Sequence, residues 1–195
     1  MASPNLIRWG GLAAMLAGAL FIVEAVAVPF IGDVHWAFHA LDAPAHAFLA
    51  VGLVGFYLWQ KGQERFGWLG TVGVLLIVTA SVLIALGGLA IVIIDGVLKA
   101  SEEWLNDIVH PLELVVVIGA VLFGMATMQM NVLPSGGALL IIVGALGFFG
   151  ISFAGVGPEW LISVAVAVLG TGWAWLGYAL LSESGEPAQQ PKRVR

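Results

Sequence analysis

An all-α, polytopic membrane helix bundle with six transmembrane helices follows from three features of this chain. It is too apolar for a soluble domain, its apolar runs are continuous, and six of those runs are long enough to cross a bilayer. Of 195 residues, 61% are hydrophobic and 10% charged, against about 25% charged in a typical soluble domain. A soluble fold of this size would leave large apolar patches exposed. The alternation that marks barrel strands is missing from the apolar runs. Gly is abundant, with 26 residues, which suits close helix approach in lipid.

A helix needs about 20 apolar residues to span the hydrocarbon. The segments that qualify are Leu6–Phe30, Pro44–Gln60, Phe66–Ile94, Pro111–Met130, Leu133–Ala154 and Trp160–Leu181. The second is short, and the third is long enough that it must tilt or project. A polar turn, Gln60 to Arg65, follows the second. A tight turn, Asn131 to Gly137, uses Pro134 and its glycines to end one helix and start the next. In the longer connection Asp95–His110, residues Ser101–Val109 predict a short interfacial helix. Ser101 would be its N-cap, with Trp104, Leu105 and Ile108 facing lipid. Residues 1–182 thus read as a single six-helix domain, and residues 183–195 as a disordered cytoplasmic tail.

Lys and Arg set the orientation. With the N-terminus inside, Arg8, Lys61, Arg65, Lys192, Arg193 and Arg195 are cytoplasmic and Lys99 alone is outside. Both termini are therefore expected in the cytoplasm. Trp9, Trp59, Trp68 and Trp173 are assigned to the inner interface, and Trp36, Trp104 and Trp160 to the outer. Arg8, the apolar run and Ala25-Val26-Ala27 also resemble a signal peptide with a cleavage site. The run is long for a signal, and Glu24 sits just before the site. Whether the first helix is retained or cleaved does not alter the other five. Gly-rich starts of helices one, three and five, and a His and Pro near the starts of helices two and four, read as shared interface chemistry rather than duplication.

Two stretches carry a resemblance. In Leu122–Phe149 a helix reaches Leu133-Pro134, restarts as Gly136-Gly137-Ala138-Leu139-Leu140, and continues with Gly144 and Gly147. The second stretch is Gly172–Glu183, Gly-Trp-Ala-Trp-Leu-Gly-Tyr-Ala-Leu-Leu-Ser-Glu. Both are similar to a broad class of small, uncharacterised six-helix bacterial integral membrane proteins. The resemblance implies that fold and a bacterial inner or plasma membrane location, and it implies no catalytic residue.

Chemistry concentrates at one end. His35, His39, His46 and His110 are all expected outside, with Asp33, Asp42, Asp95, Glu102, Glu103, Asp107, Glu113 and Glu159. Only Glu64, Glu183 and Glu186 lie on the cytoplasmic side. Asp42 is expected to N-cap helix two, with Pro44 in its first turn. His35 and His39 are spaced i, i+4, and His110 and Glu113 are spaced i, i+3, as carboxylate–His pairs are in bundle metal sites. The candidate metal ligands are His35, His39, His46, His110 and Glu113. They suit a divalent transition metal, and haem less well, because His46 and His110 sit near helix ends. Against a metal stands the common role of such residues as solvated or capping groups. Cys is absent, which excludes thiolate ligands and nucleophiles.

Glu24 is the intramembrane ionisable residue. It lies roughly 7–8 Å beneath the outer end of helix one, on a face with Ala13, Ala17 and Ala27. An acid at that depth is costly unless paired, protonated or wetted. Glu24, His46, His110 and Glu113 are expected to meet at the outer end, with helix four beside helix one. Gly144 and Gly147 are expected to face a neighbouring helix. Ser81, Ser152 and Ser163 show no sequence sign of a His or Asp partner, so a hydrolytic triad is unsupported. Met125, Met128 and Met130 are read as gap fillers in the bundle.

These features favour a small permease-like or accessory membrane subunit whose acidic, His-bearing outer cap binds a cation. A metal-dependent membrane enzyme using the cap, and a purely structural subunit, are the alternatives. The lipid bilayer is the expected partner, with other membrane subunits as candidates. Nucleic acid is excluded from the expected partners. The only basic run, at 192–195, reads as a topology anchor or lipid contact.

Overall fold

The computed structural model describes residues 3–31, 35–61, 67–98, 103–158 and 160–183. Its helices are α1 (Pro4–Ile31), α2 (His35–Lys61), α3 (Gly67–Ile91), α4 (Glu103–Met130), α5 (Ser135–Ser152) and α6 (Trp160–Glu183). All six contain a stretch long and apolar enough to cross a membrane. The chain is a multi-pass membrane helix bundle. Most of these helices are apolar all round, as membrane helices are, because lipid and bundle interior both favour carbon.

Two helix starts differ from expectation. α2 begins at His35 and α4 at Glu103, so Pro44 and Pro111 lie inside helices rather than in first turns. A proline removes one i→i−4 hydrogen bond, yet spanning helices tolerate that loss. The residues upstream of Pro44, including Ala37, Ala40 and Leu41, are good helix formers. Asp42 is therefore an interior residue of α2, not its cap. The separate helix expected at 101–109 is, from Glu103 onward, the first part of continuous α4, with Trp104 and Ile108 exposed. Ser101 lies outside the described residues.

The long third segment ends in a π-helical stretch, Val92–Val97, closed by Leu98 N–H donating to the Ile93 carbonyl at 3.0 Å. The α4–α5 turn forms as expected. Asn131 takes a left-handed φ of 53°, which Asn tolerates. Pro134 precedes α5, and Gly137 N–H donates to its carbonyl at 3.1 Å. α5 stops at Ser152, short of Ala154. The loop that follows carries Gly155 and Gly157 at φ 65° and 98°.

Each helix packs on its neighbours in sequence, and α6 returns to pack on α1, so the six close into a ring. α6, not α4, is the second flank of α1. Backbone proximity closes the ring. A methyl at Gly10 would stand 2.5 Å from the Gly55 Cα of α2, and one at Gly11 2.9 Å from the Gly177 carbonyl of α6. Only glycine permits such approach, and it maximises dispersion contact where no hydrophobic effect drives association.

Inside the ring, Phe123 packs against Phe56 with centroids 5.7 Å apart and against Trp173 at 5.4 Å. Trp173 is thus a fully buried core residue, not an inner-interface anchor. Its position on α6 points it at the ring axis. Met125 and Met128 face outward, and only Met130 of the three fills interior space. One helical turn beyond Phe56 and Phe123, Gln60 donates to Thr127 Oγ1 at 3.3 Å, also buried.

Candidate functional site

On the other side of the aromatic plug the ring holds a cavity. Five helices line it: α1 with Phe21 and Glu24, α2 with Phe38, Asp42, His46 and Leu49, α4 with Glu113 and Val116, α5 with Phe148, and α6 with Val166 and Leu169. About 60 Å³ is open to the centres of water-sized spheres, room for a handful of waters.

Helical spacing builds the wall. On α2, Phe38, Asp42, His46 and Leu49 follow at offsets of four, four and three, a single stripe. Asp42 and His46 are 6% and 7% exposed, and Glu24 is 4% exposed. His46 Nε2 lies 3.3 Å from Asp42 Oδ1 and its Nδ1 lies 3.1 Å from Ser81 Oγ of α3. A carboxylate accepts, so this geometry suits a His46 N–H donating from Nε2 to Asp42, and in that tautomer Nδ1 accepts from the Ser81 hydroxyl. The ring is further held edge-on to Phe21, centroids 5.3 Å apart.

Ser81 therefore has the His/Asp partners that the sequence did not show. Its chain with His46 and Asp42 has the composition of a hydrolytic triad. Ser81 is fully buried, however, and is not part of the cavity wall. The hydroxyl meets no substrate space and serves to orient His46.

Across the cavity, Glu113 of α4 accepts from His110 Nδ1 at 3.1 Å. The His110 side chain is 57% exposed, that of Glu113 22%. His110 stacks on Phe153 at the end of α5, ring centroids 4.6 Å apart. His110 is thus the rim, and Glu113 connects rim to cavity. Glu24, Asp42 and Glu113 are close enough for their charges to act on one another. Glu24 Oε2 is buried without a hydrogen-bond partner.

The structure brings Glu24, His46 and Glu113 to one cavity and leaves His110 at its edge. His39 is buried outside the cavity wall, edge-on to Phe38 at 5.1 Å. The His35 side chain lies outside the described residues. Among the described residues no group of three His, Cys, Asp or Glu side chains is arranged to hold a metal ion. Gly144 meets α6, where an added methyl would stand 2.5 Å from Leu169 N, and Gly147 meets Ala165 at 3.3 Å. Asp42 as a cavity wall was missed by sequence reasoning. Its i, i+4 spacing to His46 was a usable signal, hidden by the assumption that helix two opens at Pro44.

Comparison with family models, with curated proteins and with solved structures returns no match. The resemblance to small bacterial membrane proteins accordingly reaches no further than a six-helix, all-apolar-helix membrane bundle.

Electrostatics define what the cavity can do. Three carboxyls face one another, one His is already committed to Asp42, and no Lys or Arg is among the lining residues. Helix dipoles give little relief, because Asp42 and Glu113 stand beyond the first turns of α2 and α4. Like charges in an apolar setting need a compensating positive charge, supplied by a proton or a cation.

Proposed function

We propose that this protein is a small permease-like or accessory membrane subunit that binds a cation in the cavity between Glu24, Asp42 and Glu113. The observation that carries the reading is the cavity itself: three carboxyls from three helices, with one buried carboxylate oxygen unpartnered, and no basic residue among the lining side chains. In this reading both termini are cytoplasmic. Arg8 and Lys61 lie at the ends of α1 and α2 opposite Glu24 and His46, so the cavity faces the outer side and His110 marks its mouth.

The test is thermal unfolding of purified protein in detergent across a series of chloride salts at constant ionic strength. At least one cation should raise the midpoint, as any ligand of the native state does, and Glu24→Gln should abolish the rise. If no cation acts differently on wild type and Glu24→Gln, the reading fails.

A divalent transition metal at His110 and Glu113 is the second reading, favoured by their 3.1 Å pairing. Zinc in the same series, with His110→Ala, decides it. Stabilisation by zinc that His110→Ala removes and Glu24→Gln spares places the metal at the rim.

A further inference from the structure

We propose that the cation this cavity accepts is a compact primary alkylammonium rather than an inorganic ion. This rests on the cation-cavity reading and names its ligand class.

The walls are chemically divided. Every polar lining side chain comes from α1, α2 or α4, namely Glu24, Asp42, His46 and Glu113. α5 and α6 supply only carbon, including Phe148, Val166 and Leu169. A ligand that satisfies both halves is charged at one end and apolar at the other.

Inorganic cations fit this division poorly. Hard ions replace their hydration with about six or more oxygen ligands. Backbone carbonyls in α1, α2 and α4 are largely engaged in their own helices. No three acidic or His side chains converge on a metal-sized point among the described residues. Bringing a bare ion here would strip water without replacing it, and would leave the hydrocarbon half of the cavity facing a charge.

The unpartnered atom narrows the choice. Glu24 Oε2 is an acceptor, in a side chain 4% exposed, with no donor. A primary ammonium has three N–H donors: one can reach this oxygen, and the others can go to a single neighbouring carboxylate or to water, so it does not need three carboxylates on one point. A quaternary ammonium has the charge and no donor. The alkyl end would lie against Phe148, Val166 and Leu169. A space of about 60 Å³ for water-sized centres admits a few carbons and excludes a long chain.

The test is equilibrium dialysis of [14C]propylammonium against the purified full-length protein in detergent. Sodium, potassium, magnesium and tetramethylammonium chlorides serve as competitors. Propylammonium should bind one per chain, and equal concentrations of the inorganic salts or tetramethylammonium should leave most of it bound. Glu24→Gln, which keeps the side chain's shape, should weaken binding roughly tenfold or more, the usual effect of losing a charge-assisted hydrogen bond. Val166→Ala enlarges only the apolar half and should shift preference severalfold toward pentylammonium. Should Glu24→Gln aggregate, the chain-length shift still decides the matter. Displacement by sodium or tetramethylammonium as readily as by unlabelled propylammonium overturns the ligand class and leaves a cation cavity. An unchanged chain-length preference in Val166→Ala likewise overturns the class. Absence of propylammonium binding, combined with stabilisation by an inorganic ion that Glu24→Gln removes, has the same meaning. Absence of any cation effect overturns both readings.

Discussion

At the scale of single residues, Glu24, Asp42 and His46 show how a charged cluster is held inside an apolar bundle. Asp42 and Ser81 take the two ring nitrogens of His46, at 3.3 and 3.1 Å, and Glu113 pairs with His110 at 3.1 Å, which leaves Glu24 Oε2 buried at the cavity without a partner. Ser81→Ala should cost about 1–3 kcal/mol in detergent unfolding, the range for an unsatisfied buried polar group. Combined with Asp42→Asn it should be non-additive, because both act on one imidazole. His110→Ala should cost no more than about 1 kcal/mol, since the His110 side chain is 57% exposed even though Glu113 is mostly buried. A loss above 2 kcal/mol would place His110 in the load of the bundle rather than at its mouth. Glu24 was legible in the sequence, because an acid in an apolar helix on a small-residue face has few structural uses. Ser81 was not legible, because its partner is 35 residues away on another helix and only packing reveals it.

At the scale of elements, the helices were legible from hydropathy and their beginnings were not. Pro44 and Pro111 looked like first-turn residues, the commonest place for proline in soluble helices. In a spanning helix the surroundings offer the backbone no water, so continuing the helix through proline is cheaper than unwinding it. That difference moved Asp42 from a cap to the cavity wall. The glycines make a sharper element-scale prediction. A side chain at Gly144 collides with the backbone of Leu169 at 2.5 Å, whereas at Gly147 it meets a methyl at 3.3 Å. Gly144→Ala should lower stability by about 1–3 kcal/mol, the range for overpacking, and Gly147→Ala by much less. Equal losses in both variants would show that α5 and α6 are not held by backbone proximity at Gly144.

At the scale of the whole molecule, six helices close into a ring with a mostly apolar, carboxyl-bearing cavity on one side of the Phe56, Phe123 and Trp173 plug and the buried Gln60–Thr127 pair on the other. The number of spans was legible, since each had the length and hydropathy required. The closure of α6 on α1, and hence which residues face each other across the axis, was not, because small-residue stripes fit several neighbours equally well. Reporter fusions should read inside after Gly62, Ser135 and Arg195, and outside within residues 31–43 and 95–110. An outside signal at Arg195 would contradict the proposed orientation and with it an outward-facing cavity. The central claim, that the carboxyls of this cavity take up a cation, is tested most directly by carbodiimide labelling. A hydrophobic carbodiimide couples to protonated carboxyl groups in apolar surroundings, and peptide mass spectrometry locates the adduct. The account predicts an adduct on Glu24 that saturating propylammonium chloride suppresses, with sodium chloride at the same ionic strength as the control. Labelling of Glu24 at one unchanged rate in every cation tried would contradict it.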